Sequence, residues 1–278
     1  MALFTDDLIV FHDNNSVFSD KSFEANDYTR DPFTLDLVAA EDFLYIGLFK
    51  RFNAIYIELK TVNQTANTFT AEFNDGTNWV ALAQFKDDSQ GFTRSGFLTW
   101  TRAQTNWAAN EVNSETLFWI RLKPSVDHEA TTDIQGLNTV FADDNDLNGE
   151  FEGVDQFLSD GKISFINYHQ SARNHIIQMI RNRGKLKTNT SNLITNISKW
   201  DILDKDEIKE AAKHRVLSQI FFNKSDNTED KWYQQYNDYN GFYNKAFDVF
   251  FLTLDKNDDG KVDDSERLAI KSLTITRL

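Results

Sequence analysis

The sequence predicts an α+β chain: an N-terminal antiparallel β-sandwich of jelly-roll type, then a C-terminal α-helical bundle carrying an EF-hand-like loop. Three observations predict this class. Apolar residues alternate at every second position through much of the first half. Beyond Gly161 they recur at three- and four-residue steps. An oxygen-rich stretch, DKNDDGKVDDSE, follows the last of these runs. The expected organisation is a β domain over residues 1–127, an acidic linker over 128–160 and a helical domain over 161–278.

Period-2 patterning defines the strands of the first half. In NAIYIELK, Ile55, Ile57 and Leu59 alternate with Ala54, Tyr56 and Glu58, and TFTAEF sets Phe69, Ala71 and Phe73 on one face. Asn74-Asp75-Gly76 then separates that run from NWVALAQF, which is a hairpin signal. ETLFWIRLK is a further strand, ended by Pro124. Trp79, Trp100, Trp107 and Trp119 lie in this half. Their place in alternating runs predicts core residues, and a stacking platform for sugars is the competing reading.

The junction is acidic. Within it, DDNDLNGEFEGVD spaces Asp144, Asp146, Asn148, Gly149 and Asp155 like a degenerate calcium loop. With no amphipathic helix leading in, a polar interdomain turn is expected instead.

Three long helices are expected beyond it. Phe165, Tyr168, Ala172, Ile176, Met179 and Ile180 form the apolar stripe of the first, with Ser159 or Asp160 to cap it and Gly184 to end it. From Gly161 to Trp200 the chain has no acidic residue but carries Lys162, Arg173, Arg181, Arg183, Lys185, Lys187 and Lys199. Such a block suits a helix C-terminus, where the dipole favours cations, or contact with an acidic partner surface. The second helix starts near Asp204 or Asp206 and buries Ile208, Ala211, Ala212, Val216 and Ile220, with Arg215 and Gln219 beside them. In the third, Trp232, Tyr236, Tyr239, Tyr243, Phe247, Phe250 and Leu254 make a seam of rings. Such a seam is core, and it is wide enough that part of it can face another subunit.

Counted from Asp255, the terminal loop places Asp255, Asn257, Asp259, Lys261 (through its carbonyl), Asp263 and Glu266 at the ligand positions of an EF-hand, with Gly260 at the sharp bend. A helix before it and a short helix over SERLAIKSL after it complete the expected frame. Calcium is the implied ion. The competing reading is that these side chains satisfy turn backbone and cap the last helix without a metal.

Composition bounds the function. At 40% hydrophobic residues the chain can build a packed core, and a net charge of −14 argues against general nucleic-acid binding, which draws on Lys and Arg. The absence of Cys excludes disulfides and thiolate chemistry. No secretory signal and no membrane span are expected. His12, His128, His169, His175 and His214 show no metal spacing, and no G-x-S-x-G, H-E-x-x-H or phosphate-cradling loop is present, so an enzyme is not expected.

Residues 91–125, GFTRSGFLTWTRAQTNWAANEVNSETLFWIRLKPS, resemble β-sandwich domains of structural proteins in tailed bacteriophages. Residues 160–278 resemble the helical adaptor, or head-to-tail connector, proteins of the same phages. That likeness is carried by SKWDILDKDEIKEAAKHRVLSQIF, the turn SDNTEDKW, the Tyr-rich helix, the acidic turn and the tail ending in Arg277. The resemblance implies a virion protein at the neck, docked beneath the portal in a ring, commonly of twelve copies, that links capsid to tail and lets DNA pass without sequence-specific binding. It implies no catalytic residues and no membrane. Arg173, Arg181, Arg183, Lys185, Lys187, Trp232, Tyr236 and Tyr239 are the expected partner-binding residues. The β domain departs from a minimal adaptor and would be an added docking module for tail or neck proteins. The alternative is a calcium-dependent carbohydrate- or surface-binding module.

Overall fold

The structure, a computed structural model, describes residues 6–39, 41–102, 104–128, 131–159, 161–183, 186–188, 194–249, 251–255 and 267–269. The chain divides into two compact units between Thr139 and Val140. The first is built of antiparallel sheets and the second is mainly helical, so the α+β class holds.

The first unit runs β1 (Ile9–Asn14), β2 (Val17–Asp20), α1 (Ser22–Asn26), β3 (Phe33–Leu35), β4 (Phe43–Leu48), β5 (Ala54–Thr61), β6 (Phe69–Asn74), β7 (Trp79–Ala81), β8 (Lys86–Asp87), β9 (Gly96–Thr99), β10 (Ala109–Val112), β11 (Glu115–Pro124) and β12 (Thr132–Asn138). A seven-stranded sheet has the order β2-β1-β4-β11-β6-β7, with β10 also on β11, and a five-stranded sheet has the order β3-β12-β5-β9-β8. Two of its hairpins turn on Asn-Ser. Asn15 and Ser16 between β1 and β2, and Asn113 and Ser114 between β10 and β11, all have positive φ, as a two-residue turn matched to strand twist requires. The expected hairpin at Asp75-Gly76 joins β6 to β7, with the Asp75 carboxylate accepting from the Thr77 and Asn78 amides.

Alternation sorts the larger sheet. Val10, Leu44, Ile46, Ala71, Phe73, Ile120 and Leu122 are buried on one face. The opposite face gathers Phe11, Tyr45 and Trp119 into a smaller apolar cluster. Trp100, Trp107 and Trp119 are buried, as the core reading expected, and Trp79 is half-buried. β5 differs from the expected alternation, because Ala54, Tyr56 and Glu58 are buried as well as Ile55, Ile57 and Leu59. A central strand flanked by β12 and β9 is covered on both faces.

The second unit runs α2 (Asp144–Glu150), a 3-10 turn (Val154–Phe157), α3 (Ile166–Asn182), β13 (Leu186–Thr188), β14 (Ile194–Asn196), α4 (Asp206–Lys224), α5 (Lys231–Val249), β15 (Phe251–Thr253) and β16 (Arg267–Ala269). Residues 128–160 are therefore not a linker: they hold β12, α2 and the 3-10 turn. The acidic residues there serve helix ends. The Asp143 side chain accepts from the Asp146 amide and the Asp146 side chain from the Asp143 amide, both at 3.0 Å, which is a capping box with Asp in place of Glu. Asp144 reaches out of α2. Its carboxylate accepts the Phe165 amide at 3.2 Å and lies 2.9 Å from Nε2 of His169, and the Ser164 hydroxyl accepts the Ile166 amide at 3.2 Å, so these two, and not the expected Ser159 or Asp160, hold the start of α3. Asn148 bonds Asp155. The degenerate calcium loop thus holds a helix, and its expected ligands Asp144, Asp146 and Asp155 already accept from amide groups. Asp143→Ala is expected to lower stability by about 1 kcal/mol in chemical denaturation, with the far-ultraviolet spectrum of the folded protein little changed.

α3, α4 and α5 form where the spacing predicted. One part of their core gathers Ile176, Ile180, Ile208, Ala211, Tyr243 and Phe247, and the other gathers Leu147, Val154, Phe165, Ala172, Val216, Phe221 and Tyr239. The expected frame around the terminal loop is different. α5 stops at Val249, and β15 pairs antiparallel with β16, Phe251 opposite Ala269 and Thr253 opposite Arg267. A strand pair replaces helix–loop–helix, because the β-branched and aromatic run after Asp248 favours extended backbone. Thr253 is held there by Glu207, whose carboxylate accepts its amide at 2.7 Å and its hydroxyl at 2.8 Å.

Candidate docking surface of the helical unit

Helical spacing puts Arg215, Gln219 and Asn223 of α4 one turn apart on a single face, and Asn167, Tyr168 and Ser171 share a face of α3. With Ser218 and Phe222 of α4 and Tyr236 of α5 they line a groove of about 460 Å³. Gln219 donates to Ser171 Oγ at 2.9 Å and Asn223 to the Tyr168 hydroxyl at 3.0 Å, so α3 and α4 are tied across the groove. The ring of Phe222 stands 5.1 Å from that of Tyr236 and is 54% exposed.

The floor is polar. Nε of Arg215 and Oε1 of Gln219 are buried and have no hydrogen-bond partner among the described residues. Arg215 also sits over the Tyr243 ring at 5.7 Å. Burial pushes the Tyr243 hydroxyl up to about 12, so it stays protonated. Polar side chains beside the rings of Tyr168, Phe222 and Tyr236 can meet both the apolar and the polar parts of a protein partner.

The expected partner-binding residues fall in several places. Tyr236 lines the groove. Trp232 stacks on Phe221 at 5.7 Å and meets Phe157 edge-on at 5.0 Å, and Tyr239 is buried against Phe221. Arg173 is buried, with its guanidinium on Asn174 Oδ1 at 2.9 Å. Arg181 donates to the Ile197 carbonyl, and Arg183 pairs with Asp248 at 2.7 Å while stacking on Phe247. Lys187 belongs to β13, and Lys185 lies outside the described residues. Lys205, a basic residue not singled out by sequence, is pushed down to about 7 by burial first and then by the positive charges of Arg173 and Lys199.

Of the calcium-type loop, Asp255 is buried, and its amide donates to the Asp201 carbonyl at 2.9 Å. Asn257, Asp259, Lys261, Asp263 and Glu266 lie outside the described residues. Sequence reasoning placed Arg215 and Gln219 beside the buried face of α4 but missed the groove. Two polar side chains on an otherwise apolar stripe were the available signal. No described helix is long and apolar enough to cross a membrane. No protein-family model, curated protein or solved structure matched the chain, so the groove is interpreted from its own geometry.

Proposed function

We propose that this chain is a non-catalytic structural protein of a tailed-phage virion, an adaptor ring of about twelve copies joining portal to tail. That copy number comes from the resemblance over residues 160–278. The observation that carries the reading is Phe222, more than half exposed beside Tyr236 at the lip of a polar-floored groove. An exposed ring on a groove lined by further rings and polar side chains suits contact with a neighbouring protein better than a solvated surface. This groove, and not the largely engaged basic block, would hold the portal or the next copy in the ring. The two sheets of the first unit are read as a sandwich that presents an outward docking module. The chain's acidity would let DNA slide past without adhering. Calcium at the 255–266 loop would brace the β15–β16 hairpin.

Phe222→Asp tests this. The side chain is exposed, so thermal stability is expected to hold while incorporation into particles drops at least tenfold in a complementation assay. Class averages of native particles that place no copy of this chain at the neck would refute the proposal.

One observation favours the alternative binding module. Arg121 lies between Phe43 and Trp79, 4.3 Å and 4.5 Å from the two rings, and pairs with Glu72 at 2.6 Å. Half-buried rings around a fixed guanidinium suit a sugar face. Saturable glycan binding lost in Trp79→Ala, without portal affinity, would decide for that reading.

A further inference from the structure

A second cluster in the helical unit lies apart from the groove. Glu210 and His214 are one turn apart on α4, and Glu150 ends α2. His214 Nε2 is 3.7 Å from Glu150 Oε1 and 3.9 Å from Glu210 Oε2. One ligand atom from each of the three residues lies within 4.8 Å of the others. A tetrahedral ion with bonds of about 2.0–2.2 Å sets its ligand atoms about 3.3–3.6 Å apart. Both histidine distances are within a few tenths of an ångström of that span.

The histidine and the helix that carries Glu150 are held in place, and the Glu210 side chain is 60% exposed. The His214 side chain is 13% exposed, and its ring packs against Tyr239 at 5.9 Å and Phe242 at 5.6 Å, which restricts its rotamer. α2 is fixed by its capping box and by Leu147 in the core. A hollow of about 680 Å³ lined by Glu207, Glu210, His214, Phe242 and Lys245 opens two of the three side chains, Glu210 and His214, to solvent.

One group now stands between the carboxylates. Lys213 Nζ is 3.0 Å from Glu150 Oε2 and 2.9 Å from Glu210 Oε1. This is the charge compensation that a cation would supply. A mixed imidazole–carboxylate set favours a borderline ion over calcium, which takes six to eight oxygens.

We propose that Glu150, Glu210 and His214 bind a divalent transition ion of the zinc class, and that Lys213 holds the two carboxylates together until the ion displaces its ammonium. Water would complete the tetrahedron from the open side. This site is distinct in residues and chemistry from the 255–266 loop and does not depend on the docking role.

The test uses the full chain carrying Glu266→Gln, which removes the carboxylate that the sequence pattern makes the bidentate ligand of that loop. Zinc is titrated by calorimetry, and cobalt by its visible absorption. Saturable uptake of one equivalent is expected, with a cobalt spectrum of tetrahedral intensity. His214→Ala and Glu150→Gln are each expected to weaken binding about tenfold or more. Lys213→Met is expected to tighten it several-fold, because the competing ammonium is gone. A merely structural ion-pair network predicts the opposite sign for that variant. No saturable uptake by the parent, affinity unchanged in His214→Ala, or weaker binding in Lys213→Met would each overturn the proposal. Should His214→Ala fail to fold, His214→Gln and the imidazole-dependent cobalt spectrum of the parent separate the same two outcomes.

Discussion

Gly47→Val is expected to destabilise the first unit by about 3 kcal/mol. Gly47 is the last residue but one of β4, opposite Ile9 in β1 and Trp119 in β11. A Cβ added there would lie 2.5 Å from Cζ3 and 2.6 Å from Cε3 of Trp119. The indole has little room to retreat. It is fully buried, stacked on Phe11 at 5.5 Å, and its Nε1 donates to the Asn110 carbonyl at 2.9 Å. The glycine leaves a gap in the strand and the tryptophan from the next strand fills it. The pair should therefore behave as one unit. In a Trp119→Leu background, itself destabilised, Gly47→Ala is expected to cost markedly less than in the parent, giving a coupling of about 1 kcal/mol or more in a double-mutant cycle read by urea denaturation. Additive costs would show that the ring and the glycine do not compete for the same space.

Acidification to pH 4 is expected to remove roughly 3 kcal/mol through His128 alone. His128 is 5% exposed, its ring is 5.4 Å from both Phe69 and Phe92, and neither ring nitrogen has a hydrogen-bond partner among the described residues. Burial pushes its pKa down from 6.5 to about 4. The unfolded chain thus takes up the proton first. The contribution is complete above pH 6.5 and is lost as pH falls from 6.5 towards 4. His128→Leu should flatten that part of the stability profile, while the titration of carboxyls such as Asp13 and Asp143 is common to both proteins and cancels in the difference. Parallel profiles for the two proteins between pH 6.5 and 4 would show that His128 is protonated without cost in the folded state.

Much of the fold was legible because its signals are local. The alternation in Phe69–Asn74 and in Glu115–Pro124, and the three- and four-residue steps in α3, α4 and α5, report which side of each element meets apolar neighbours. What failed depends on neighbours distant in the chain. The Asn15-Ser16 and Asn113-Ser114 hairpins lack the glycine that usually marks such turns. The acidic junction looked like a spacer because its charges were counted before the amides they accept from could be known. The end of α5 differs from the expectation because the spacing of the aromatic seam continues in the sequence to Phe250 and Leu254, although the backbone is extended at β15. For the groove, Tyr236 was legible, but Arg215 and Gln219 acquire meaning only when α3 packs across them. The basic block shows the limit most plainly. Its composition is obvious, yet only the structure shows Arg183 engaged with Asp248 and Arg181 with a carbonyl.

The carboxylate of Asp144 has a consequence for anyone who would cut the gene in two. A fragment that starts at residue 161, where the acidic run ends, would begin α3 with the Phe165 amide and His169 bereft of the side chain that both rely on. It would also lack Leu147 and Val154, leaving vacancies against Val216 and Phe221. A start at Val140 keeps that clasp, so the natural seam of the polypeptide lies about twenty residues upstream of the apparent one.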